Sequence, residues 1–150
     1  MPQEIEFHPG LPDVAEYLLR LLQKAQARRL RVVVTGDPDW LGRLDVQLWT
    51  ADAGSFLPHA RLRGTAAAPP MLARTPLWFA DDPRMLPEAE VLVNIGPDMP
   101  AGWDGFQRVV ELVGDALDAA AAGRQRWRHY LAAGAVPVDV RKRAAATGEG

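Results

Sequence analysis

The 150-residue chain contains no cysteine. That excludes disulfides, thiolate catalysis and cysteine-ligated zinc. No apolar run approaches the ~18 residues that a bilayer span requires, and no signal-peptide pattern opens the chain, so a cytoplasmic address is expected. His8, His59 and His129 are scattered, with no HxxxH or HExxH spacing, and no metal site is expected from them. GxSxG is missing, and with it the nucleophile elbow of a hydrolase. Neither GxGxxG nor GxxxxGK[ST] occurs. The one turn placed where a phosphate loop would sit, Thr35 to Trp40 (TGDPDW), has a single glycine, so no nucleotide cofactor is expected. Asp81 and Asp82 are neighbours in a turn before they are an acid–base pair, and no catalytic set emerges.

Net charge is −2 and the pI is about 5.9, so the molecule as a whole is no polyanion binder. The distribution of charge says more. Between Asp81 and Asp118 acids dominate, whereas Arg124, Arg126, Arg128, Arg141, Lys142 and Arg143 stand against Asp139 alone. A basic face on an acidic protein suits a small anionic partner better than a duplex.

Hydrophobic residues make up 48% and charged residues 24%, and the length fits one domain with a single core. Glu4 to His8 alternates and reads as a strand. Asp13 is placed to cap a helix, with Glu16 at capping-box spacing. Leu30 to Thr35 is the continuous β-branched run of a strand buried on both faces. A second helix is expected from Pro38 to Trp49, with Leu41, Leu44 and Leu48 as its core stripe. Arg61 to Pro76 reads as a loop. Pro76 to Ala80, Glu90 to Ile95 and Arg108 to Val113 read as strands. A last helix follows, capped by Asp115 and ended by Gly134. The alternation of strand and helix predicts an α/β fold: a single-domain, Rossmann-like, open and mainly parallel sheet of about five strands flanked by helices. The domain is expected to run over residues 1–143, with 144–150 a flexible C-terminal tail.

Two stretches carry candidate chemistry. Leu44 to His59 places Trp49 and Phe56 on either side of a break, off the main apolar stripe, as an anchor for another protein or as caps on the core. On the last helix, Leu117, Ala120, Arg124, Trp127, Arg128 and Leu131 share one face, while Ala116, Ala119, Gly123 and Tyr130 form a small face that approaches the sheet. Guanidiniums beside an indole and leucines suit a short acidic peptide with an apolar end. Late arginines also simply complement a helix dipole.

The run L-D-x-x-L-W (Leu44 to Trp49), followed by S-F-x-P-H (Ser55 to His59), together with RVVELV (Arg108 to Val113) and RQRWRHYLAAG (Arg124 to Gly134), resembles the chi subunit of bacterial DNA polymerase III. The resemblance follows element order over nearly the whole chain and holds in residue detail in these segments. It implies a non-catalytic adaptor of the replicative polymerase. Val113, Arg124, Trp127 and Arg128, with Gly134 nearby, match the family's contacts to the acidic C-terminal tail of the single-stranded-DNA-binding protein. Trp49, Phe56, Pro58 and His59 match the face that docks psi, the subunit linking chi to the clamp loader; DNA would be touched only indirectly. Three positions depart from the family. A usable lysine is Ala120 here, which should weaken the tail contact, a tyrosine is Trp127, and a lysine is Arg128, which keeps the charge and adds bidentate reach. The alternative, a small doubly wound nucleotide-binding enzyme, would need a phosphate loop at Gly36 and a polar cluster at the strand ends.

Overall fold

In a computed structural model the chain is described at residues 1–50 and 57–146, with side chains to 143. Among the described residues seven strands, all parallel, form one sheet: β1 (Glu4–Leu11), β2 (Val32–Thr35), β3 (His59–Leu62), β4 (Leu77–Ala80), β5 (Val91–Asn94), β6 (Arg108–Gly114) and β7 (Val138–Asp139), in the order β3-β4-β2-β5-β6-β1-β7. Accompanying it among the described residues are the α-helices α1 (Val14–Ala27), α2 (Pro38–Trp49), α3 (Leu117–Ala132) and α4 (Val140–Ala146). No described helix is long and apolar enough to cross a membrane.

The five expected strands are present, and β2, β4 and β5 are buried at every position, as two-sided coverage demands. The two additional strands lie at the edges. β3 falls where a loop was expected; its sequence HARL lacks a β-branched run, and pairing with β4, His59 opposite Leu77, makes it a strand. Arg61 fastens this edge by donating to the carbonyls of Leu62 (2.6 Å) and Phe79 (3.1 Å) and pairing with Asp81. β7 is two residues long and pairs through Glu6 with Val138 and Phe7 with Asp139, too short for any pattern to show. The expected tail, 144–150, overlaps α4 at 144–146, and 147–150 lie outside the described residues.

α1 and α2 cover one face of the sheet, where Leu18, Leu22, Leu41, Leu44 and Leu48 pack on Val34, Phe79 and Val93. On the other face Tyr130 of α3 joins Ile5, Phe7, Val109 and Val113. Asp13 caps α1, accepting from the Glu16 amide at 3.1 Å, while the Glu16 carboxylate pairs forward with Arg20 and leaves the capping box half made. α1 ends in a Schellman turn, Leu30 N–H to Ala25 C=O at 3.0 Å and Arg29 N–H to Gln26 C=O at 2.9 Å, with Arg29 at φ +57°. α3 ends in the same turn, but with Gly134 at φ +88°.

The glycine of the TGDPDW turn has a packing role. A Cβ on Gly36 would sit 2.7 Å from Ile95 Cγ1 and 3.2 Å from the Gly96 nitrogen. Gly36 and Gly96 therefore let the turns after β2 and β5 meet backbone to backbone at the C-terminal end of the sheet.

Candidate functional site

α3 is held against the sheet by a buried polar network. Glu111 of β6 is fully buried, and its Oε1 accepts from Asn94 Nδ2 and Arg126 Nε, both at 2.9 Å. Its Oε2 accepts from the Tyr130 hydroxyl at 2.7 Å, and Arg126 Nη1 donates to the Pro97 carbonyl at 2.9 Å. Burial pushes the Glu111 carboxyl up, to about 6, against the opposing pull of Arg126, Tyr130 and Asn94. Burial, reinforced by Glu111, also pushes the Tyr130 hydroxyl up and keeps it a neutral donor. Arg126, expected on the basic face, is thus an interior residue, only 4% exposed. Its spacing from Gly123 and Tyr130 puts it on the small face, a signal available in the sequence.

Gly123 sets how closely helix and sheet approach. A Cβ there would lie 2.9 and 3.1 Å from the Val113 methyl carbons. Beside this contact opens a cleft of about 520 Å³, floored by Phe7 and Val113 and walled by Ala120, Arg124 and Trp127 of α3 and by Asp139, Arg141 and Lys142 where β7 runs into α4. Phe7 meets the half-buried Trp127 edge-on, ring centroids 5.0 Å apart at 65°, and Tyr130 at 5.8 Å. Gly10, at φ +71°, turns the end of β1 beneath Arg141, whose Nη1 lies 3.3 Å from where a Cβ would stand.

The cleft is cationic. Arg124 is exposed and makes no ion pair among the described residues. Arg141 grips Asp139 through Nη2 at 3.2 Å, and its amide donates to Asp139 Oδ1 at 2.9 Å. Burial would raise the Asp139 carboxyl, but hydrogen bonds from Arg141 and the charges of Arg141 and Lys142 outweigh it and hold the group below its ordinary range. Arg124, Arg141 and Lys142 against Asp115 and Asp139 leave a positive surplus around an apolar floor.

Of the residues expected here from the sequence, Val113, Arg124 and Trp127 come together in the cleft, with Ala120 beside Arg124. Arg128 is exposed outside the lining. Gly134 is exposed too and terminates α3, with nothing within 4 Å of a Cβ. The expected leucine contribution is absent: Leu117 and Leu131 are 89% and 49% exposed, outside the lining, and the apolar surface comes from Phe7, Val113 and Trp127. Arg141 and Lys142 were visible only as part of a basic run, because the short β7 that brings them to the cleft has no sequence signature.

The second candidate face lies at the other end of the sheet. Trp49 closes α2, 56% exposed, with Val46 59% exposed one turn earlier. The Trp49 Nε1 donates to Asp45 Oδ1 at 3.2 Å, and its ring lies 4.4 Å from that of His59. His59 is buried and sits beneath the face: Nδ1 is 2.7 Å from the Leu57 carbonyl, and Nε2 is 3.1 Å from Asp45 Oδ1. Pro58 is exposed beside it. Phe56 lies outside the described residues. α2 rests on β3, β4 and β2, whereas α3 rests on β6 and β1. β3 and β1 are five steps apart in the sheet, roughly 24 Å at ~4.8 Å per strand.

The family model described as the DNA polymerase III chi subunit, HolC, matches residues 1–137. No curated protein matches the chain.

Proposed function

The chain belongs to the DNA polymerase III chi subunit family, and from that premise we propose that it is a non-catalytic, cytoplasmic adaptor of the holoenzyme, joining psi and the clamp loader to the acidic tail of the single-stranded-DNA-binding protein. The observation that carries the reading is the composition of the α3 cleft. Arg124, Arg141 and Lys142 offer donors to carboxylates, while Phe7, Val113 and Trp127 offer an apolar seat in the same cleft. A peptide with several acids and an apolar end matches both halves. Arg124 contributes a guanidinium with no ion pair among the described residues, and Arg141 is pre-positioned by Asp139.

Psi docks on the Trp49 face in this reading. Trp49, Val46 and Pro58 present exposed apolar surface, and buried His59 with Asp45 fixes the indole from below. Tryptophan is among the residues most enriched at the energetic centres of interfaces.

The test is an anisotropy titration with a labelled peptide copying the tail of the cognate single-strand-binding protein, at low and moderate salt. Arg124→Ala should weaken binding about ten-fold, the worth of one charge-assisted contact. Saturable binding that this variant leaves intact would move the tail off α3, and a peptide that does not bind at all would remove the tail from the account.

A further inference from the structure

A second cavity, of about 240 Å³, opens on the opposite sheet face, between α1 and strands β1, β6, β5 and β2. Its floor is apolar, with Leu22, Val32, Val93 and Val110 all buried. One wall is a hydrogen-bonded relay. The Tyr17 hydroxyl lies 2.5 Å from His8 Nδ1, and His8 Nε2 lies 3.0 Å from Glu6 Oε2. Glu6 Oε1 accepts from Arg108 Nη2 at 2.6 Å. Glu6 is 1% exposed and His8 8%. With the Nε2 proton given to Glu6, Nδ1 takes the Tyr17 proton, so the relay is satisfied internally and offers no donor to an anion.

The donors left over point the other way. Lys24, Arg28, Arg108 and Arg143 line the cavity, with Glu6 as its only acid among the described residues. Arg143 is taken up by Glu4, at 2.5 Å. Lys24 and Arg28 make no ion pair among the described residues. The Arg108 Nε is buried without a hydrogen-bond partner among the described residues and lies 3.9 Å from a Glu4 carboxylate oxygen. A buried donor left unpaired is disfavoured, and a missing acceptor is one explanation of it.

We propose that this cavity binds a small amphipathic anion, its apolar body on the valine and leucine floor and its charged head among Lys24, Arg28 and Arg108. The volume lies just under the ~300–1,000 Å³ of drug-sized sites, which restricts the ligand to a small one. The Glu6 charge is met by Arg108, which leaves Lys24 and Arg28 as the surplus cations. Burial would raise the Glu6 carboxyl, but the hydrogen bond from His8 and the charge of Arg108 outweigh that and hold it at about 2. The cavity shares no lining residue with the α3 cleft.

Calorimetric titration with octanoate, octanol and inorganic phosphate tests the proposal, with His8 ring nitrogen shifts followed by NMR to locate the ligand. Octanoate should bind one to one and move the His8 signals, with octanol and phosphate each at least about ten-fold weaker, since each lacks half of the match. Lys24→Ala/Arg28→Ala, two exposed rim positions whose loss leaves the fold intact, should weaken octanoate about ten-fold. Arg124→Ala, in the other cleft, should leave it unchanged. No octanoate binding, equal binding of octanol or phosphate, or indifference to the rim double variant would each overturn the site.

Discussion

Replacing Arg126 by methionine isolates the network that holds α3 in place. Methionine keeps an unbranched side chain of similar reach but removes the one cation touching Glu111. The carboxyl then stays fully buried with only Asn94 and Tyr130 as donors, and the Pro97 carbonyl loses its partner. Removing one member of a buried ion pair typically costs about 3–5 kcal/mol. At an m-value of about 2 kcal/mol/M, that lowers the urea midpoint by roughly 2 M. The pH dependence is the sharper test. Glu111 already has a folded pKa near 6 against 4.5 for the free group, and losing Arg126 raises it further. A carboxyl with a raised folded pKa is a penalty at high pH; the penalty shrinks as pH falls through the folded value and is gone below 4.5. Arg126→Met should therefore be far more damaging at pH 8 than at pH 5 in urea titrations. Glu111→Gln/Arg126→Met should recover at least half of the loss at pH 8. A deficit under about 1 kcal/mol, or one equal at both pH values, would show that Arg126 does not stabilise a buried Glu111 carboxylate.

Three further outcomes are expected. Arg29, exposed and left-handed at the end of α1, occupies a position that Gly134 fills in α3, and Arg29→Gly should raise Tm by about 2–4 °C in calorimetry. Ala120→Lys puts a cation beside Arg124 at little helical cost, and should raise tail-peptide affinity several-fold at low salt and less at high salt; unchanged affinity would place the tail elsewhere. Glu6, held at about 2 against 4.5 unfolded, gives stability that is present above pH 4.5 and lost as pH falls toward 2. That loss is about 2 kcal/mol between pH 6 and pH 3, and Glu6→Gln should remove this component from the urea-midpoint profile.

What the sequence revealed and what it hid divide along physical lines. Strands buried on both faces, such as Val32–Thr35, carry a continuous apolar run because nothing polar is tolerated there. The α2 stripe of Leu41, Leu44 and Leu48 was legible for the same reason. Edge strands are under weaker demand. His59–Leu62 needs only one partner and uses Arg61 as a clamp, so its composition looks like a loop. The α3 N-terminus misled in a local way: Gly114 and Asp115 looked like a helix start, but β6 runs through Gly114, and Ala116 is the N-cap, without a side-chain bond. In the cleft, Arg124 and Trp127 are readable because helical spacing puts them on one face, whereas Val113 enters only through the family resemblance. Arg126 was misplaced because charge alone put it on the wet face, whereas its partner, Glu111, comes from another element. Phe7, Arg141 and Lys142 depend on β7 pairing with β1, a contact no local pattern records.

The two faces, set at opposite ends of one sheet, are expected to work independently. The direct measurement is the affinity for the single-strand-binding protein's tail peptide with and without saturating psi, for the wild type, Arg124→Ala and Trp49→Ala. Tail affinity should be the same in both conditions, with tail binding alone lost in Arg124→Ala and psi binding alone lost in Trp49→Ala. Displacement of the peptide by psi, or one substitution abolishing both contacts, would contradict this independence.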